Sequence, residues 1–371
     1  MAHLRYWLGF NMVPGIGPAR LRALLDHFDG DLESAWTAPE HELREAGLDR
    51  RSIQSLFSER HTLDLDRELR LVEAADISIF TWDDPGYPRL LRKIDSSPPV
   101  LYVRGCLDEA DEWALAVVGT RRASSYGREA ARRLVTPLAQ LGVTIVSGLA
   151  LGIDGEAHQA ALDAGGRTLA VLACGVDVIY PPEHRRLADR IQQHGALLSE
   201  YPLGTSPDRK NFPPRNRIIS GLSRGVLVVE AAAKSGALIT AGFAAEQGRD
   251  VFAVPGSILT KRHLGTNTLI SNGATPVLMP EDIVRELQLG MLPQKQEARQ
   301  VIEATENESR LLAWLSDEPL HIDEIGHLSG LPISVVSSML TVLELKGLAR
   351  QAGKMLYVST REVGPEYRPR E

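Results

Sequence analysis

The chain has 371 residues, more than one ordinary hydrophobic core organises, so two or three domains are expected. Its 43% hydrophobic and 24% charged residues are ordinary for a globular protein, and a net charge of −7 excludes one that coats nucleic acid through bulk cationic surface, though not one with a local basic groove. Cys106 and Cys174 have neither CxxC spacing nor a histidine cluster nearby, and no signal peptide or membrane-spanning apolar run is read, so a cytoplasmic protein without disulfide, metal or cofactor is expected.

Residues 1–62 read as a helical module. Val13-Pro14-Gly15-Ile16-Gly17-Pro18 is a tight turn between two apolar helical patterns, the second using Leu21, Leu24, Leu25 and Phe28. The turn fits a helix-hairpin-helix or SAM-like unit, with a degenerate second copy near Leu43–Leu48; an αα-corner packed as a small bundle is the commoner outcome of such a turn. Arg20 and Arg22 are the only basic support for DNA contact there. Residues 63–290 form the main domain. Its opening segment, to about residue 112, has β character at Ile77–Phe80 and Val100–Val103 and is a prelude to the main sheet.

From Ala114, apolar runs alternate with helical patterns. The runs are Ala114–Val118, Val143–Val146, Thr168–Ala173, Ala196–Ser199, Val226–Val229, Val251–Val254 and Val277–Met279; helices fall at Arg128–Gln140, Glu156–Asp163 and Glu183–Gln193. Continuous apolar runs between helices predict an α/β fold, a doubly wound, Rossmann-like parallel sheet whose ligands sit at the carboxyl ends of its strands. Residues 291–307 have linker composition, and 308–371 read as a winged helix and tail. In that last module a helix opens at Leu311, Leu312 and Leu315, Ile322–Gly330 and Val335–Lys346 make the helix-turn-helix, and Gly347–Arg350 pairs with Lys354–Val358.

The chemistry collects at the strand ends. Phe212-Pro213-Pro214-Arg215-Asn216-Arg217 starts a helix with two arginines, a composition suited to anionic oxygens. The first βα turn, Val117–Gly127, lacks the GxGxxG of a dinucleotide enzyme and offers Thr120, Arg121, Ser124 and Ser125 instead. Arg121 pairing with a carboxylate, with the hydroxyls capping a helix, is the structural alternative. Ser147-Gly148-Leu149-Ala150-Leu151-Gly152 is a glycine loop able to form an anion nest. Asp154 and His158 have i,i+4 spacing, though Asp154 suits an N-cap better than an acid–base pair. Tyr180 either stacks or packs, and Lys234 with Ser235 precedes a helix start. Arg121, Arg215, Arg217 and Lys234 should therefore converge on one sheet edge, unless Arg215 and Arg217, alternate residues at a helix start, diverge and one of them binds a carboxylate of its own chain. No nucleophile–base–orienter set and no two-metal carboxylate cluster emerges, so no catalytic residue is assigned.

Together with Val228–Thr240 and Phe252-Ala253-Val254-Pro255-Gly256-Ser257 followed by Gly265-Thr266-Asn267, these motifs resemble the DNA-processing protein A family, also called Smf, over nearly the whole chain. The resemblance implies a recombination mediator rather than an enzyme. Such a protein binds single-stranded DNA, protects incoming DNA, forms homodimers and loads the RecA recombinase in natural transformation or recombination. It implies DNA contact at Arg121, Ser147, Gly148, Arg215, Arg217, Lys234 and Ser235, and stacking at Phe212. Leu151 stands where relatives carry a basic residue. Helix Ser334–Lys346 contains no arginine and follows Asp323 and Glu324, which favours a protein contact or auxiliary DNA role over duplex reading. The rival readings are a nucleotide-binding Rossmann-like enzyme and a winged-helix transcription regulator.

Overall fold

The computed structural model describes residues 4–289, 311–312, 314–315, 320–345, 349–353 and 355–359. The chain divides into two compact units, Met1–Gly290 and Met291–Glu371.

The first unit opens with six helices: α1 (Leu4–Met12), α2 (Pro18–His27), α3 (Leu32–Thr37), α4 (Glu40–Glu45), α5 (Arg50–Thr62) and α6 (Leu65–Ala74). Aspartates start three of them. Asp31 accepts from Glu33 and Ser34 N–H, Asp49 from Ser52 N–H and Asp64 from Arg67 N–H, satisfying donors that a helix start leaves free. Phe10 is fully buried with Trp36 edge-on at 5.1 Å, so Phe10→Ala there costs about 3–5 kcal/mol. The helices also cover one face of the sheet. Trp7 meets Trp82 edge-on at 5.9 Å, and the module shares one core with Val100, Tyr102, Leu172 and Leu197.

The sheet has nine strands: β1 (Ser78–Thr81), β2 (Val100–Gly105), β3 (Ala114–Val118), β4 (Thr144–Ser147), β5 (Thr168–Val171), β6 (Gly195–Ser199), β7 (Gly225–Val228), β8 (Asp250–Ala253) and β9 (Thr275–Pro276). Their order is β1-β2-β6-β5-β4-β3-β7-β8-β9. The sheet is mixed rather than purely parallel, because β1 and β2 add two antiparallel strands at the β6 edge. Every residue of β3 to β7 is buried, which is why these runs are apolar without alternation. The last strand lies at Thr275–Pro276 instead of Val277–Met279. Pro276 lacks an N–H and suits an edge, while Leu278 and Met279 are already exposed and lead into the next helix.

Eight helices accompany the strands: α7 (Arg89–Arg92), α8 (Ser125–Gln140), α9 (Ile153–Asp163), α10 (Arg185–His194), α11 (Phe212–Gly221), α12 (Gly236–Glu246), α13 (Leu264–Ser271) and α14 (Pro280–Glu286). From β3 the chain builds outward through β4, β5 and β6, then returns to the other side of β3 with β7 and β8. Connections after β3 and β7 therefore part in opposite directions and leave a crevice at the strand ends.

In the second unit, α15 (Ile322–Ser329) and α16 (Ile333–Leu345) pack with a sheet of β10 (Leu320–His321), β11 (Ala349–Gly353) and β12 (Leu356–Ser359), ordered β10-β12-β11. Gly330, with φ 67°, ends α15 in the left-handed conformation that glycine tolerates. Leu311, Leu315, Ile325, Val336, Leu340 and Tyr357 share its core. Leu311 and Leu312 are helical, while the linker 291–307 and Lys346 lie outside the described residues.

Candidate nucleic-acid interface

Above β3, the first turn is held from the neighbouring strand. Thr120 N–H donates to the Glu230 carbonyl at 2.8 Å. The fully buried Glu230 carboxylate accepts Ser124 N–H at 2.9 Å and Ser124 Oγ–H at 3.0 Å. Ser124 Oγ in turn accepts Gly127 N–H at 3.0 Å. The start of α8, where a dinucleotide enzyme seats a pyrophosphate, is thus filled by the protein's own carboxylate. A side chain at Gly127 would collide with Glu230. Held this way, the turn leaves Arg121 and Arg122 exposed.

The glycine loop after β4 is closed rather than open. Ser147 is buried and its hydroxyl donates to the Val117 carbonyl at 2.6 Å. Gly148 N–H donates to Asp154 Oδ2 at 3.2 Å, and its carbonyl accepts Arg215 Nη1–H at 3.0 Å. A Cβ at 148 would sit 2.6 Å from Arg215 Nη2. Asp154 is not an N-cap; Gly152, at φ 83°, takes that place, and burial pushes the Asp154 carboxyl up while Arg215 draws it down. Nor does Asp154 pair with His158. That buried imidazole shares a 2.7 Å hydrogen bond with Thr168, and burial pushes it down to about 3.

Helix α11 starts at Phe212, and Pro213 and Pro214 fit its first turn, where a missing N–H costs nothing. Its two arginines diverge, since residues two apart on a helix lie about 200° apart around its axis. Arg215 points inward, 3% exposed, donating to the Gly148 and Val171 carbonyls, and burial pushes its guanidinium down to about 10. Arg217 leaves the crevice. Its terminal nitrogens bond both Glu200 oxygens at 2.6 and 2.7 Å, and Nε donates to the Ser96 carbonyl at 2.8 Å. Four converging cations were expected; Arg121, Arg215 and Lys234 meet, and Arg217 is an internal ion pair.

Lys234 is exposed and in no ion pair among the described residues. Ser235 caps α12 by accepting Ala237 N–H at 3.3 Å, and a Cβ added at Gly236 meets only open space. The crevice, about 710 Å³, is lined by Arg121, Tyr180, Arg209, Phe212, Asn216 and Lys234 among others. The Phe212 ring carries the Arg121 guanidinium 5.0 Å from its centre and the Tyr180 edge at 5.9 Å. Arg209 and Asn216 escaped the sequence reading, although Arg209 stands three residues before Phe212 in the same motif. A second cleft of about 520 Å³, beside the start of β3, sets Asp108, Glu109, Asp111 and Glu112 against Arg89 and Arg92, a net acidic lining less suited to an anionic strand. Among the described residues no group of three His, Cys, Asp or Glu side chains is placed to hold a metal ion.

Residues 78–288 match the family described as DNA recombination-mediator protein A, and residues 295–354 match the DprA winged helix domain. The chain belongs to this family. It is 40% identical to Protein Smf of Synechocystis over 389 residues, spanning 95% of this chain and 98% of that one. The X-ray structure of DNA processing protein A from Streptococcus pneumoniae is 35% identical, covers 76% of this chain and 97% of that one, and superposes with a TM-score of 0.68. DNA processing protein A from Helicobacter pylori, whose structural study concerns its single-stranded DNA binding mode, is 30% identical, covers 57% and 95%, and gives a TM-score of 0.52.

In this family member both arginines beside the first helical turn meet groups of the chain itself. Arg20 donates to the Gly15 carbonyl and pairs with Asp49, while the Arg22 guanidinium lies 4.9 Å from the Trp82 ring centre. The C-terminal region is winged-helix-like, and its α16 exposes Ile333, Val335 and Val342. No single helix among the described residues is long and apolar enough to cross a membrane.

Proposed function

We propose that the crevice between β3 and β7 is the seat of single-stranded DNA, and that the protein is a recombination mediator acting as a binding protein rather than an enzyme. The observation carrying this reading is that Arg121, Arg209 and Lys234 line the crevice without a carboxylate partner among the described residues, beside the ring of Phe212. Phosphates go to Lys234, Arg121, Arg209 and the backbone at the start of α12; a base goes to Phe212 and Tyr180. Arg215 supports from below by fixing the Gly148 loop, Ser147 and Gly148 shape that loop, and Arg217 holds α11 to Glu200. The nucleotide-enzyme reading is opposed by Glu230, which fills the pyrophosphate position at α8.

The strand order supports a Rossmann-like, doubly wound description, and the turns at Gly15 and Gly47 support paired helical hairpins that serve packing. As in the family, the expected partners are RecA and a second copy of the chain, and the expected setting is the cytoplasm. Titration of a labelled single strand and its duplex at several salt concentrations tests the seat. Tighter binding of the single strand, weakened in Arg121→Glu and Lys234→Glu with a shallower salt slope, is expected. Equal affinity of both variants and wild type would sink the assignment.

A further inference from the structure

We propose that the loop from Pro255 to His263 is a second contact element for the same single strand, receiving the part that leaves the crevice. Ile258 and Leu259 would lie against bases, and Lys261, Arg262 and Arg122 against phosphates. The inference rests on the crevice reading and extends it.

Ile258 and Leu259 are 90% and 91% exposed, at the tip of a loop joining β8 to α13. Two adjacent branched apolar side chains so far from any core need an occupant or a reason. The loop is also built, not slack. Tyr126 Oη–H donates to the Pro255 carbonyl at 2.8 Å, and Asn267 exchanges two hydrogen bonds with the Gly256 backbone at 3.0 and 3.1 Å. A side chain at Gly256 would strike His263, whose ring stands edge-on to Tyr126 at 5.2 Å.

The far end of the loop is tied to the crevice itself. Arg262 Nη1–H donates to the Arg122 carbonyl at 2.9 Å, and Arg122 follows Arg121, which lines the crevice. The tie sets the loop's far end against the turn that carries Arg121. The charge there is one-sided. Arg122 and Lys261 are exposed and in no ion pair among the described residues. Arg262 has Glu230 at 3.9 Å, but that carboxylate is fully buried and already holds Ser124.

Apolar tips interleaved with cations suit an unpaired strand, which presents base faces and phosphates together; a duplex hides the faces. The tie to the crevice turn and the charge sign favour the strand over a second copy of the chain.

The test uses the full chain with a short oligonucleotide that fills only the crevice, a long one, and a long strand abasic outside the crevice-filling segment. For Ile258→Ser combined with Leu259→Ser, long-strand affinity should fall about tenfold while short-strand and abasic-strand affinities stay as in wild type. Lys261→Glu should lower long-strand affinity and its salt slope by about one. Unchanged long-strand binding in both variants overturns the proposal. So does an equal loss on the abasic strand, or a loss that tracks dissociation of the protein's assembly in sedimentation. Arg121→Glu separates the two readings: lost short-strand binding there, with silent loop variants, leaves the crevice standing and removes only the loop.

Discussion

The starts of α8 and α12 flank one crevice, above adjacent strands, and differ in what faces their free N–H groups. At α8 the Glu230 carboxylate, delivered by β7, accepts Ser124 N–H and Oγ–H and is fully buried. At α12 the Ser235 hydroxyl accepts Ala237 N–H, with exposed Lys234 beside it and no carboxylate bonded there among the described residues. Both positions look anion-friendly by spacing alone. One is answered by a buried carboxylate and becomes structure; the other is answered by a single hydroxyl and stays open to a ligand. Two arginines repeat the lesson, Arg217 of α11 being matched by Glu200 and Arg121 across the crevice resting on the Phe212 ring with no ion pair among the described residues.

If that division is right, changes on the answered side cost stability and changes on the open side cost binding. The largest effect belongs to Arg217→Ala, which strands Glu200 in a mostly buried place; unfolding in urea should show a loss of about 3–5 kcal/mol, with strand affinity of the folded protein kept. Glu230→Ala removes two charge-assisted hydrogen bonds at a helix start and should cost about 2–3 kcal/mol in the same assay. Lys234→Glu should leave the unfolding midpoint in place and weaken single-strand binding by about 2 kcal/mol, roughly thirtyfold at low salt. A stability loss in Lys234→Glu, or a binding loss without a stability loss in Glu230→Ala, would break the comparison.

Acid sharpens it on the answered side. His158 is held neutral down to about 3, against an ordinary value of 6.5, so the unfolded chain takes up a proton that the folded one refuses. Its contribution is complete above about pH 6.5 and is lost as pH falls toward 3, at about 1.4 kcal/mol per pH unit. Asp154, pushed up by burial, has the opposite sign. The quantity to measure is therefore the difference between wild type and His158→Gln, which should lose that slope between pH 6 and pH 4. A difference that stays flat with pH means that the imidazole titrates freely.

Much of this was legible before the structure. The strands β3 to β8 fall within a residue or two of the apolar runs, because burial on both faces leaves a continuous apolar signature. The antiparallel strands β1 and β2 were less legible as part of the same sheet, since short apolar runs do not encode their partner. Phe212, Arg121 and Lys234 could be placed at one edge because topology sends every strand end there. Arg217 could not be separated from Arg215, because its fate depends on Glu200, seventeen positions earlier in the chain. The same holds for Ser124 and Glu230, 106 positions apart. Local spacing names groups that can bind an anion; only a distant partner decides whether the anion comes from within.

The smallest effect is the most discriminating for α12. Ser235 accepts Ala237 N–H at 3.3 Å, a long cap, so Ser235→Ala should cost about 0.5–1 kcal/mol of stability. The same change frees that N–H at the mouth of the crevice. If phosphate is received by the helix start itself and by Lys234, strand affinity should change by less than about twofold, since one donor is exchanged for another. If the hydroxyl is the ligand, affinity should fall nearly as far as in Lys234→Glu. The second outcome would move the seat from the backbone to a single side chain, and α12 would then differ from α8 only in the residue that closes it.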